Sequence, residues 1–379
     1  MKFIINYGDD IIMDNNTFEK QIKLLLNIPE TERIQRTDLE SRLTGLCFET
    51  DLEEENDIEL AKKLLEYNVG LYIHKVKFKS LEDILNLELL KHITRGEIVL
   101  ENCSVGSKDL SKIGLYKDDN GQTIIDIYDD KDLQFVVETM ENRDNLNFKL
   151  NMTAITSPWE KHARSNIVSY EELVNVYRIY NHFKSHFGNS NLTDLDKILI
   201  AGMFLSYNTE YDFEEDESKF LSQRSIYGCL INGLSVCVGY SSGYMLLLKA
   251  MGFECRLVDS GPHVWNQVKI ENNWYNIDIT NLKSLFLFGN LQHEKFALTS
   301  NKTYFNHWKE CGDEEITESA ADKRSLMMCS EDFDRKTLYN HLNLIRSIFR
   351  KHFQTFITDK FIEKGTELDD DLKQELDCH

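Results

Sequence analysis

Within the first 150 residues, short β-like runs return at an almost fixed interval. "LCFET" begins at Leu46, "LYIHKV" at Leu71, "EIVLEN" at Glu97, "TIIDIY" at Thr123 and "NFKLNM" at Asn147, so their starts lie 25, 26, 26 and 24 residues apart. Between them stand "DIELAKKLLEY", "SLEDILNLELLKHI" and "DKDLQFVVETM", each with apolar residues near helical spacing. One strand and one helix cannot bury their apolar faces alone, so successive units must stack. Two architectures meet that demand: a solenoid-like array, and a small βαβ layer of parallel strands. The array is the reading adopted for an α/β domain over 1–155, and its expected role is to present a surface to a protein partner.

Beyond it, "TSPWEKHARSN" from Thr156 turns irregular and marks a junction. A second domain is assigned to 165–330. It opens with the helical patterns "SYEELVNVYRIYNHFKSHF" and "TDLDKILIAGMFLSYNTEYD", the latter capped by Thr193. Residues 331–379 read as a C-terminal helix followed by the acidic tail "KGTELDDDLKQELDCH". Hydrophobic residues at 41% and aromatics at 11% suffice to pack more than one core in 379 residues.

Charge and cysteine usage remove several functions. With 64 acidic against 43 basic side chains, the net charge of −21 argues against a nucleic-acid partner. No apolar run nears the ~20 residues of a membrane helix, and "MKFIINYGDDIIMD" is not a signal peptide. The eight cysteines show neither disulfide-scaffold nor CxxC zinc spacing, so the expectation is a cytoplasmic protein with reduced thiols and no membrane contact. His182 and His186, four apart on a helix, could touch one ion, but no third ligand lies near them. The acidic runs "DLEEEND", "DFEEDES" and "GDEE" lack the spacing of a calcium loop. No metal and no cofactor is expected.

The chemistry concentrates in "LSVCVGYSSGYMLLLKAMG", from Leu234. Ser235 is read as an N-cap; Tyr240, Tyr244, Leu247, Leu248 and Met251 share one helical face, and Gly252 stops the helix. Cys237 then stands in the first turn, where free N–H groups and the dipole favour a thiolate, although a lone helix cysteine fits packing as well. Cys229 and Cys255 are read as core. Further on, "HVWNQVKI" and "WYNIDIT" form two β runs around Glu271-Asn272. A two-residue turn pairs Ile270 with Asn273 and His263 with Thr280, which sets His263, Trp265 and Gln267 on one face with Trp274, Asn276 and Asp278. His263 and Asp278 then lie diagonally across adjacent strands, roughly 7–8 Å apart at the backbone, whereas a three-residue turn would separate them. Together Cys237, His263 and Asp278 make a nucleophile, a base and an orienting carboxylate. Trp265 and Trp274 are expected to shield the pair from water. The Cys237 N–H is a natural oxyanion donor; Tyr227 and Asn232 are candidates for a second, though either also fits packing or a turn.

"SVCVGY", "HVWNQVKI" and "WYNIDIT" resemble, in order and approximate spacing, the transglutaminase-like superfamily of papain-like cysteine enzymes. The resemblance runs over about 165 to 310, and takes in "LTDLDKILIAGMFLSYNTEYD" as the helix before the nucleophile and "KFALTSNKTYFNHW" as a closing strand and loop. It implies an α+β papain-like core, a nucleophile helix packed on an antiparallel sheet, and the same triad. Ser235 stands where glycine is common, Ser241 replaces a usual alanine, and Asn281 replaces a frequent tryptophan. The N-terminal period resembles that of leucine-rich repeats, ~20–29 residues, without their leucine and asparagine signature.

The expected reaction is acyl transfer on a protein or peptide amide through a thioester on Cys237. Water as acceptor makes a protease, amidase or deamidase, and this hydrolytic outcome is preferred because amine transfer needs a second binding site. The alternatives are a protein-crosslinking transglutaminase, and a non-catalytic protein-binding scaffold with a vestigial triad. "LKSLFLFGNLQHEK", from Leu282, is read as a lid over the thiol.

Overall fold

The computed structural model describes residues 2–5, 46–50, parts of 58–95, 96–140, 148–156, 166–213, 219–259, 263–270 and 273–280. The expected lid, the closing strand near 300, Asn281 and the C-terminal helix and tail lie outside these residues. The chain divides into two compact units, one holding 1–163 with 167–170 and the other 164–166 with the chain from Glu171.

The first unit is built on a sheet. Its strands are β1 (Lys2–Ile5), β2 (Leu46–Thr50), β3 (Gly70–His74), β4 (Lys77–Phe78), β5 (Ile98–Val105), β6 (Lys108–Lys117), β7 (Thr123–Ile127), β8 (Phe148–Asn151) and β9 (Ile167–Val168). They run β1-β2-β3-β5-β6-β7-β8-β9, with the short β4 also beside β5. Every β-like run with the 25-residue interval is a strand here. β2, β3 and β5 are parallel neighbours, as are β7 and β8. Alternation puts Leu71, Ile73, Ile98, Leu100, Ile113, Leu115, Ile125, Ile127 and Leu150 on one face, and all are essentially inaccessible to solvent. Helix α1 (Asp132–Met140) packs on β6, and its buried Asp132 carboxylate accepts from the N–H groups of Ser111 and Lys112 at 2.9 and 2.8 Å.

The uniform array fails between β5 and β7, where the antiparallel β6 takes the place of a helix. Its cause is local. Val105 pairs with Lys108, so Gly106-Ser107 is a two-residue hairpin turn, and Gly106 holds φ at +61°, open to glycine without strain. The 25-residue interval thus spaces parallel strands of one mixed sheet and does not generate one stacked repeat throughout.

The second unit is α+β. Helix α2 (Tyr170–Phe183) runs into a π-helical turn, Lys184–Gly188. Helix α3 (Asp194–Asn208) begins at the expected cap: the Thr193 hydroxyl accepts from Asp196 N–H, while the Asp196 carboxylate takes the Thr193 N–H, satisfying two donors at once. A short parallel pair follows, β10 (Glu210–Tyr211) with β11 (Leu234–Ser235). Helix α4 (Cys237–Ala250) then leads into an antiparallel sheet, β12 (Cys255–Asp259), β13 (Val264–Ile270) and β14 (Asn273–Ile277).

α4 is held between α3 and this sheet. The buried Tyr244 hydroxyl donates to Ile198 O on α3 at 2.8 Å. Ser241 Oγ donates to Val264 O at 3.0 Å, and Asn266 Nδ2 donates back to Ser241 O at 2.9 Å. These bonds fix the start of β13 against the first turns of the helix.

Candidate active site

Cys237 is the first residue of α4. The residue before it, Val236, is extended and offers no capping side chain. The expectation of Ser235 as N-cap is therefore corrected: Ser235 lies in β11, and its hydroxyl donates to Gln223 O at 2.7 Å beneath the helix. The contact demands a glycine one turn on, because a Cβ on Gly239 would stand 2.0 Å from Ser235 Oγ and 2.5 Å from Gln223 O. A missing cap costs a helix about 1 kcal/mol. Here it leaves first-turn N–H groups for the site, and the N–H groups of Val238 and Val264 face the Cys237 sulfur.

The hairpin has the register that the site needs. Ile270 pairs with Asn273, and the ladder continues to Asn266 with Ile277, so two residues connect the strands. His263 precedes β13 and Asp278 follows β14. They meet through His263 Nε2 and Asp278 Oδ2 at 2.8 Å. Asp278 is wholly buried, and its other oxygen accepts from the Thr280 hydroxyl. The carboxylate is thereby locked in orientation, and Nδ1 is the ring nitrogen left for the thiol. His263 and Cys237 are close enough that each shifts the titration of the other.

Electrostatics follow from this arrangement. Burial alone would push the Cys237 thiol up; the His263 imidazole and the surrounding N–H groups outweigh burial and hold it below the ordinary thiol range. Burial alone would push His263 down, but the Asp278 carboxylate, with help from the thiolate, carries it up to about 10. Thiol depressed and imidazole raised is the signature of a thiolate–imidazolium pair. Cys229, in contrast, is wholly buried beside Thr209, and desolvation pushes its thiol up to about 12. It is a core residue, as the sequence suggests.

Of the other candidates, Trp265 is in place. Its fully buried ring stacks on the His263 imidazole, centroids 6.1 Å apart and planes 18° apart, while its Nε1 donates to Asn276 Oδ1 at 2.9 Å. Trp274 does not guard the thiol: it lies four residues before Asp278, about 13 Å along the strand, under the Arg256 guanidinium, 4.2 Å from the ring centroid. Tyr227 faces Glu171 and Glu172 in the first turn of α2, and exposed Asn232 donates to Ser222 Oγ at 3.1 Å, so neither is brought to the thiol. His182 and His186 stack, centroids 4.1 Å apart, with His186 Nδ1 turned to His182 O at 3.0 Å. Among the described residues no group of three or more His, Cys, Asp or Glu could hold a metal ion, and no helix is long and apolar enough to cross a membrane.

Tyr211 was not foreseen. Paired with Ser235 in the β10–β11 bridge, it stacks on the Tyr240 ring, centroids 6.2 Å apart, and burial, with help from the Cys237 charge, pushes its hydroxyl above the ordinary range. A bridge of two residues leaves almost no periodicity to read.

Residues 175–279 match the family model of the transglutaminase-like superfamily, and this stretch is a transglutaminase-like domain. It contains Cys237, His263 and Asp278. No curated protein matches the chain. Two solved structures are similar in part: a proposed cysteine protease from Cytophaga hutchinsonii, 19% identical with a TM-score of 0.23, and a TGase, 15% identical with a TM-score of 0.24. The first match covers 28% of this chain and 37% of the other; the second covers 54% and 59%.

Proposed function

We propose that the transglutaminase-like domain catalyses cysteine-dependent acyl transfer on a protein or peptide amide, with Cys237, His263 and Asp278 as its triad. The observation that carries this reading is the His263 imidazole, held at 2.8 Å by the wholly buried Asp278 carboxylate and electrostatically coupled to the Cys237 thiol at the start of α4. A structural thiol needs no such partner, and the arrangement holds the imidazole protonated and aimed.

The steps balance within these groups. The Cys237 thiolate attacks the amide carbon; a C–S bond forms, and the carbonyl π electrons move to oxygen beside the Cys237 N–H. His263 gives its proton to the leaving nitrogen, the C–N bond breaks, and a thioester remains. Water then attacks as neutral His263 takes its proton. The C–S bond breaks, the acid leaves, and the thiolate–imidazolium pair is restored. Asp278 stays ionised throughout, fixing the tautomer and supporting the imidazolium.

Hydrolysis is the proposed outcome, since water needs no second binding site. An amine acceptor entering the same thioester would make the domain a crosslinking enzyme. Incubation with casein and dansylcadaverine separates the two. Release of ammonia or new peptide ends without fluorescent incorporation supports hydrolysis; incorporation that vanishes in Cys237→Ala supports crosslinking. Neither product, together with an ordinary thiol at Cys237, would leave a binding scaffold, with the first unit as its partner-facing part.

A further inference from the structure

Across the three strands of the antiparallel sheet runs a row of polar side chains that the catalytic steps do not use. Arg256 on β12 stands opposite Gln267 on β13, and Gln267 stands opposite Asn276 on β14, two residues before Asp278. We infer that Asn276 is a positioning residue: its carboxamide oxygen fixes the Trp265 indole, and through that ring sets the plane of the His263 imidazole beside Cys237. The inference rests on the acyl-transfer reading above and adds to it the group that keeps the base in line.

A single hydrogen bond does not fix a ring. The contact between His263 Nε2 and Asp278 Oδ2, 2.8 Å, pins one corner of the imidazole and leaves the ring able to swing about it. A flat partner removes that freedom. The Trp265 ring stacks on the imidazole with centroids 6.1 Å apart and planes 18° apart, within the range of offset aromatic pairs. The indole is itself wholly buried, and its Nε1 donates to Asn276 Oδ1 at 2.9 Å. Removing that acceptor takes from a buried donor the partner that holds it, and the indole tilts to find another.

The row also dictates which way each amide points. Arginine and tryptophan side chains offer N–H groups and no acceptor. Arg256 Nε donates to Gln267 Oε1 at 2.9 Å, so Gln267 must turn its Nε2 the other way, where it donates to Asn276 Oδ1 at 2.9 Å. Asn276 Oδ1 therefore accepts from Gln267 and from Trp265 together, one donor for each lone pair. With donor-only groups at both ends, the two wholly buried amides between them have one arrangement left. The far end is held in its turn, because the Arg256 guanidinium lies over Trp274, 4.2 Å from the ring centroid. Trp274, which does not guard the thiol, thus supports the row that orients the base. An apolar residue in place of Asn276 would set both donors against carbon.

The test reads alkylation of Cys237 by iodoacetamide from pH 5 to 9 in wild type, Asn276→Leu, Trp265→Phe and the double variant, with urea unfolding of each alongside. Leucine fills the space without the acceptor; phenylalanine keeps a ring against His263 without the donor. The charges that bear on the imidazole, Asp278 and Cys237, are untouched, as is Arg256 at the end of the row, so a moved profile reports the placement of the ring. The inference expects each single variant to label Cys237 about tenfold more slowly at pH 6, the effect of one unit in the thiolate midpoint. It expects the double variant to label no more slowly than either single one, since both changes break the same bond. A wild-type profile in either single variant, however much stability is lost, would overturn it and leave Asn276 a packing residue. So would losses that multiply in the double variant, because Asn276 would then act by a route other than the indole. Should Asn276→Leu fail to fold, Trp265→Phe decides alone. The acyl-transfer reading fails separately: a wild type that alkylates readily but releases no nitrophenolate from p-nitrophenyl acetate would sink it, while the alkylation series still decides the role of Asn276.

Discussion

Burial and hydrogen bonding pull the two titrating groups of the site in opposite directions, and hydrogen bonding with opposite charge wins for both. The consequences can be signed. Cys237 titrates below its unfolded range, so its contribution to stability is present above that range and is lost as pH falls through the folded value. His263 titrates above its unfolded range, so its contribution is full below about 6.5 and is lost as pH rises through about 10. Acylation needs the thiolate and the imidazolium together. Its rate against pH should therefore be a broad bell, rising below the ordinary thiol range and falling near 10; a single rise near ~8.5 would contradict the pairing. Asp278→Asn tests the third group. The amide keeps the shape, withdraws the charge and offers the wrong partner to Nε2, so acylation should fall on the order of 10⁴-fold and the alkylation profile should move to higher pH. An unchanged profile would remove Asp278 from the site.

At the scale of elements, the hairpin carried most of what the sequence could tell. Side-chain alternation and one turn length bring His263 and Asp278 together, because the strand period of two leaves no intermediate register. Helix α4 was legible too, through its apolar face and the stop at Gly252, whose φ is +92°. Its exact start was not, since Ser235 looks like a cap but spends its hydroxyl on Gln223 O. Strand β6 does not show in the interval, although Gly106-Ser107 is a hairpin signal, because an antiparallel strand between β5 and β7 leaves the spacing of the parallel strands unchanged. Tyr211 and Trp274 show the opposite limit: what a side chain meets outside its own element depends on packing that no local pattern encodes. The close approach of α4 to the Gln223 segment gives a prediction at this scale. Gly239→Ala must displace buried backbone, so it should cost about 1–3 kcal/mol of stability in urea unfolding and slow alkylation of Cys237 as the helix start shifts. A variant as stable as wild type would mean that the approach is looser than described.

Over the whole molecule, two units each carry a buried core of their own: the sheet face around Leu115 and Ile125 in the first, and Tyr244, Trp265 and Ile277 in the second. Leu115→Ala, on the buried face of β6, should destabilise the first unit by about 2–5 kcal/mol and leave the reactivity of Cys237 as it is under native conditions. A matching loss at the thiol would show that the units fold as one. The central claim concerns the second unit and is best tested on the full chain: the rate at which iodoacetamide alkylates Cys237 from pH 5 to 9, read by mass spectrometry, in wild type and His263→Ala. The account predicts rapid labelling that persists below pH 7 in the wild type and, in the variant, labelling only above the ordinary thiol range, because burial then acts unopposed. Slow labelling that rises alike in both proteins near pH ~8.5 would contradict it.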